Sequence, residues 1–80
     1  MIRVFIVDDH EIIRQGLKMI LKEASDLVVV GEAQDGIEAL RKIKNTDCDV
    51  MLLDMNMPGR SGIDLLADIK ALKPKMHILV

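Results

Sequence analysis

The chain has one cysteine, one phenylalanine, and neither tryptophan nor tyrosine among its 80 residues. Because Cys48 stands alone, no disulfide can form within the chain, which is typical of a protein in a reducing compartment such as the cytoplasm. No stretch approaches the roughly 20 apolar residues that a membrane-spanning helix requires. A net charge of −2 leaves no basic surface, so we expect this segment neither to bind nucleic acid directly nor to associate with membranes.

Short apolar runs instead alternate with segments of helical periodicity. Half of the residues are hydrophobic and 30% are charged, which is typical of an ordered globular domain. The pattern predicts strands at residues 2–7, 27–30, 50–53 and 76–80, and helices at residues 10–23, 35–45 and 63–73. This β-α-β-α-β-α-β order predicts one α/β domain in which helices cover a parallel sheet and the crossovers are right-handed.

The helical segments carry local signals as well. Asp35 should cap the second helix, since Glu38 follows three residues later as in a capping box. The apolar residues expected on the inward face of this helix are Ile37, Leu40 and Ile43. Gly16 inside the first helix costs about 1 kcal/mol relative to alanine, which indicates close packing or a local need for a small residue.

Two of the apolar runs end in aspartates. Asp8 and Asp9 follow the first strand, and Asp54 follows the third. Ligands of open α/β sheets bind beyond the carboxyl ends of the strands, and neighbouring strands lie about 4.8 Å apart. If these two strands are neighbours, three carboxylates share one cleft, which is stable only with a retained proton or a bound cation. The alternative is three unrelated, solvated aspartates.

The chemistry of such a cleft depends on its donor atoms. Carboxylate oxygens without a paired histidine or cysteine favour Mg²⁺, or Mn²⁺, over zinc. A bound Mg²⁺ can also hold phosphoryl oxygens, which leaves one aspartate free to attack phosphorus. His10, next to the acidic pair, has two interpretations: it tunes this site or, as we favour, it only starts the first helix.

The residues around these aspartates resemble the two acidic signatures of two-component response regulator receiver domains. The segments concerned are Val7-Asp8-Asp9-His10 and Leu53-Asp54-Met55-Asn56-Met57-Pro58-Gly59. The Asp-Asp-His triplet and Val30-Gly31-Glu32-Ala33 are most similar to the NarL/LuxR-type subfamily, whose receivers usually precede a helix-turn-helix domain. The resemblance implies a three-layer flavodoxin-like fold with sheet order 2-1-3-4-5, in which strands one and three are neighbours.

The resemblance also implies a role for each residue of the site. Asp54 would be the phosphoacceptor, taking a phosphoryl group from a sensor histidine kinase. Asp9 and Asp54 would bind Mg²⁺ directly, Asp8 would act through water, and the backbone carbonyl of Asn56 would be a further ligand. The chain would then be a signalling domain of a DNA-binding transcriptional regulator, and it would catalyse only its own phosphorylation and dephosphorylation.

One part of the receiver pattern is not found in this chain. The family has a Ser or Thr after strand four and a Lys after strand five, and neither position is among these 80 residues. We therefore expect residues 1–80 to be a single partial receiver domain, truncated after strand four, without strand five, the last two helices or an output domain. Metal binding should survive, whereas phosphorylation should be impaired because the charged clamp on the phosphoryl group is incomplete. The apolar edge of strand four, or the uncovered sheet face, should favour a homo-oligomer.

Two other functions stay open at this point. A phosphatase of the haloacid dehalogenase type also uses a strand-end aspartate with Mg²⁺, but its typical Asp-x-Asp is replaced here by Asp54-Met55-Asn56. The second is a degenerate receiver that serves only for assembly, although the complete set of acidic residues argues against degeneracy in the parent protein.

Overall fold

The computed structural model describes residues 1–55 and 62–80, which form four strands and three helices in strict alternation. In chain order they are β1 (Ile2–Val7), α1 (Glu11–Lys22), β2 (Leu27–Ala33), α2 (Gly36–Ile43), β3 (Val50–Leu53), α3 (Gly62–Leu72) and β4 (His77–Leu79). The predicted order is confirmed, although β2 is three residues longer than expected because residues 31–33 pair with the end of β1. None of the described helices has the length and apolar character needed to cross a membrane.

The strands form one parallel sheet in the order β2-β1-β3-β4. Strand β1 lies inside the sheet, and its residues 4–7 are all buried. Val7 is in register with Ala33 of β2 on one side and with Leu53 of β3 on the other, so all three strands end at the same edge. This arrangement confirms the predicted α/β fold and the predicted pairing of strands one and three.

The main core lies between the sheet and helices α2 and α3. Its buried residues are Phe5, Val7, Ala33, Ala39, Ile43, Met51, Leu53, Leu65, Ile69 and Met76. Asp35 caps α2 as predicted, because its Oδ1 accepts a hydrogen bond from the N–H of Glu38 at 2.8 Å. The predicted inward face of α2 is wrong at Ile37, which is 77% exposed, whereas Ala39 is fully buried. Two residues along a helix are a rotation of about 200°, so these two side chains lie on opposite faces.

Gly31 allows β2 to approach the single phenylalanine of the chain. The pairing of β1 with β2 shifts register beside Val30, and Gly31 then lies opposite Phe5. A Cβ at Gly31 would lie 2.7 Å from Phe5 Cε2, well inside van der Waals contact. The expected close packing at Gly16 is wrong, since a Cβ built there has no atom of the described residues within 4 Å, apart from its own helix backbone and chain neighbours.

Apolar side chains are exposed on helix α1 and at the end of β4. The exposed set includes Ile12, Ile13, Met19 and Ile20 of α1, together with Leu79 and Val80. Strand β4 is an edge strand of the described sheet, as expected. The exposed end of β4 agrees with the predicted apolar edge, whereas the uncovered sheet face and the self-association stay predictions.

Candidate functional site

The three predicted aspartates converge where β1 and β3 end. The backbone N–H of Asp8 continues the pairing of β1 with β2 by donating to the carbonyl of Ala33 at 3.1 Å. The N–H of Asp54 donates in the same way to the carbonyl of Val7 at 2.9 Å. These bonds bring both residues to one edge of the sheet, with Asp9 beside them. Asn56, the fourth predicted metal-site residue, lies outside the described residues.

The resulting site, which we call the acidic cluster, consists of Asp8, Asp9, His10 and Asp54. One ligand atom from each of the four residues lies within 4.8 Å of the other three. Asp8 and Asp54 are half-buried, whereas Asp9 and His10 are exposed. The cluster therefore brings three carboxylates and one imidazole together at a place that is open to solvent.

His10 takes part in this site more directly than the favoured interpretation held. It does precede α1 as the N-cap residue, but its side chain makes no capping hydrogen bond. Its ring Nδ1 lies 2.8 Å from Asp8 Oδ1 and 3.0 Å from Asp9 Oδ1. The hydrogen bond to Asp8, and then the charge of Asp9, raise the pKa of His10 above its ordinary value. Its position directly after the acidic pair was the signal available in the sequence.

A buried arginine supports the acidic cluster from below. Of the charged residues that the structure describes, Arg14 is the one that is buried. Its Nη1 donates to the backbone carbonyl of Asp8 at 2.6 Å. Its Nε also donates to Glu32 at 3.0 Å, and Lys18 pairs with the other oxygen of that carboxylate. Hydrogen bonds from Lys18 first, and then from Arg14, lower the pKa of Glu32. The network ties the carboxyl end of β1 to α1 and β2.

No local pattern in the sequence indicates this network. Arg14 lies at the end of the first turn of an amphipathic helix, where a charged residue is ordinarily expected in solvent. Only the packing of α1 on the sheet brings its guanidinium to Asp8 and Glu32. A charged side chain five residues after Asp9 was the signal that could have suggested it.

The donor atoms of the acidic cluster suit a divalent cation. Three carboxylates this close repel one another, and a shared cation relieves the repulsion. Carboxylate oxygens are the protein ligands that Mg²⁺ and Mn²⁺ prefer, whereas an imidazole nitrogen also suits later transition metals. The residues therefore fit a metal ion, and the imidazole widens the range of ions beyond the sequence-based expectation.

Known proteins are similar to this chain over almost its whole length. A family model described as the response regulator receiver domain matches residues 4–80. The nitrate/nitrite response regulator protein NarL of Escherichia coli strain K12 is 37% identical over 67 residues, which are 84% of this chain and 31% of NarL. The chain spans only about a third of the length of the curated relatives it matches.

Solved structures of similar chains agree with this result. One is the structure of the two-component response regulator RcsB in complex with DNA. It has a TM-score of 0.92 and 33% identity, and it covers 99% of this chain and 41% of that one. Another is that of the response regulator TrrA in complex with the histidine kinase ThkA. It has a TM-score of 0.84 and 36% identity, and it covers 98% of this chain and 66% of that one.

Proposed function

This chain belongs to the family of two-component response regulator receiver domains, and we propose that Asp54 is its phosphoacceptor. The observation that carries the proposal is the convergence of Asp54, from the end of β3, with Asp8 and Asp9, from the end of β1. The carboxylate of Asp54 would attack phosphorus. The phosphorus–nitrogen bond of a phosphohistidine donor would break as the phosphorus–oxygen bond of an aspartyl phosphate forms. The alternative of a haloacid-dehalogenase-type phosphatase is not favoured. Such enzymes typically carry both aspartates of an Asp-x-Asp motif after one strand, whereas the aspartates of this chain follow two strands, β1 and β3.

The same cluster would hold the metal ion that this chemistry uses. Asp9 and Asp54 would ligate Mg²⁺, or Mn²⁺, directly, with Asp8 acting through water and the carbonyl of Asn56 as a further ligand. The ion would neutralise charge on the phosphoryl oxygens. Arg14 would help to keep Asp8 in position through the bond to its carbonyl.

A sensor histidine kinase is the proposed phosphodonor, and a DNA-binding regulator is the proposed parent protein. The first proposal is supported by the similar response regulator that was solved together with a histidine kinase. The second is supported by NarL and by RcsB bound to DNA, which this chain matches over less than half of their length. Residues 1–80 would serve as a receiver portion, and DNA binding would belong to the part of the parent protein outside them.

We also propose that the chain self-associates through the edge of β4 or the uncovered sheet face, and the exposed apolar side chains of α1 would add to such a contact. Leu79 of β4 is 58% exposed and Ile20 of α1 is 69% exposed, so both elements present apolar side chains to solvent. Light scattering that finds only monomer at high protein concentration would contradict this proposal.

The phosphoacceptor is tested by labelling with acetyl phosphate and Mg²⁺, followed by borohydride reduction. Reduction converts an aspartyl phosphate to homoserine and so identifies the labelled residue by peptide mass. We expect slow labelling, confined to Asp54, in the wild type. The label should be absent from Asp54→Asn and unchanged in Asp26→Asn, which alters an exposed aspartate just before β2. Labelling of another residue, or no label while Mg²⁺ still binds, would contradict the proposal for this chain.

A further inference from the structure

We propose that His10 supplies an imidazole nitrogen to the cation held by the acidic cluster. The site would therefore bind transition metals that take nitrogen ligands in preference to Mg²⁺. This inference rests on the proposed metal site, and it adds a ligand that the aspartate-only site does not have. Imidazole binds later divalent transition metals well, whereas Mg²⁺ favours oxygen ligands and keeps much of its water. The identity of one side chain would therefore set the selectivity of the site.

The spacing of the donor atoms fits coordination of one ion. His10 Nδ1 lies 2.8 Å from Asp8 Oδ1 and 3.0 Å from Asp9 Oδ1. Adjacent ligands of an octahedral ion with bonds of about 2.1 Å are about 3 Å apart, and opposite ligands are about 4.2 Å apart. Since one ligand atom from each cluster residue, Asp54 included, lies within 4.8 Å of the others, small side-chain movements would bring all four to one ion.

The backbone of His10 is held on both sides, which makes the ring a preorganised donor. Its N–H donates to Asp8 Oδ1 at 2.8 Å, and its carbonyl accepts the N–H of Arg14 at 3.1 Å in the first turn of α1. The ring thus has only its own two torsions to adjust when an ion replaces the proton between it and the carboxylates. Ligands fixed by supporting hydrogen bonds lose less freedom on binding, and this favours affinity.

The experiment measures Co²⁺ and Mg²⁺ binding separately by calorimetry, at about pH 8, where an ordinary imidazole is neutral. The chain has two histidines, so the matched control for His10→Gln is His77→Gln, at the start of β4. We expect His10→Gln to weaken Co²⁺ binding by about tenfold or more and to change Mg²⁺ binding by less than about threefold. His77→Gln should leave both affinities unchanged. Unaltered circular dichroism would show that each variant folds.

A spectroscopic readout distinguishes a ligand from a nearby charge. With Cu²⁺ as the probe, electron spin-echo modulation from an imidazole nitrogen should be present in the wild type and His77→Gln, and absent from His10→Gln. If Co²⁺ binds equally well to the wild type and His10→Gln, His10 is not a ligand, although the carboxylate site stands. If Co²⁺ and Mg²⁺ binding is absent, or is unchanged in Asp54→Asn, both this inference and the proposed metal site are overturned.

Discussion

Two glycines offer a direct test of the packing, because an added methyl group would meet a buried ring at one of them and open space at the other. At Gly31 the new Cβ would lie 2.7 Å from Phe5 Cε2 and 2.9 Å from Phe5 Cδ2. Carbon atoms in favourable contact are about 3.5–4.0 Å apart, and Phe5 is fully buried, so its ring has little room to move away. Overpacking of this kind costs about 1–3 kcal/mol. Gly31→Ala should therefore lower the free energy of unfolding.

The change at Gly16 should have the opposite sign. Gly16 lies within α1, and a Cβ there meets no described atom within 4 Å beyond its own helix backbone and chain neighbours. Alanine in a helix interior is more stable than glycine by about 0.5–1 kcal/mol, partly because it restricts the unfolded chain. The two variants should thus differ by about 1.5–4 kcal/mol in stability. Each kcal/mol shifts the melting temperature of a domain of this size by about 4–8 °C.

Urea unfolding followed by circular dichroism measures both effects. The double variant Phe5→Leu/Gly31→Ala supplies the control, because a smaller, more flexible side chain relieves the proposed clash. In this double-mutant cycle the cost of Gly31→Ala should fall by at least about 1 kcal/mol. If Gly31→Ala is as stable as Gly16→Ala, or if its cost is unchanged in the Phe5→Leu background, the added methyl group does not clash with Phe5.

Two further substitutions test the charged contacts. Arg14→Met should destabilise the protein by about 2 kcal/mol in urea unfolding, because the carbonyl of Asp8 loses its buried donor while Lys18 still neutralises Glu32. A change below about 0.5 kcal/mol would contradict this. Arg3, through a side-chain hydrogen bond first, lowers the pKa of Asp49 to about 2. A lowered pKa stabilises the fold above the ordinary value of 3.8 and loses this effect as the pH falls towards 2. Wild type should therefore lose more stability than Asp49→Asn as the pH falls from about 5 to about 2. If both proteins lose the same stability over this range in urea unfolding, the ion pair of Asp49 with Arg3 does not stabilise the fold.

The two sides of the acidic cluster have different supports. His10 contacts the carboxylates from the solvent side, whereas Arg14 holds the Asp8 backbone from the buried side. One contact concerns the charge and donor set of the cluster, and the other concerns its geometry. Substitutions at the two residues should therefore separate metal selectivity from stability, which makes them useful partners in one set of variants.

The order of the elements and the position of the aspartates at the ends of two strands were determined by the sequence itself. Both depend on local signals: apolar runs that are too short for helices, the cap at Asp35, and carboxylates directly after two strands. The carboxyl ends of parallel strands lie at one edge of a sheet, so Asp8 and Asp54 are expected at the same edge, and the resemblance to receiver domains predicts that their strands are neighbours. The structure agrees on both points.

Only the tertiary structure decided which side chains these elements bury and which polar groups they bring together. Periodicity did not distinguish Ile37 from Ala39, because the inward face of α2 depends on how the helix docks against the sheet. The contacts of Arg14 with Asp8 and of Gly31 with Phe5 join residues that no local pattern connects. Their energies arise from the distance and burial of atoms on different elements, and these exist only once the sheet and its helices have packed.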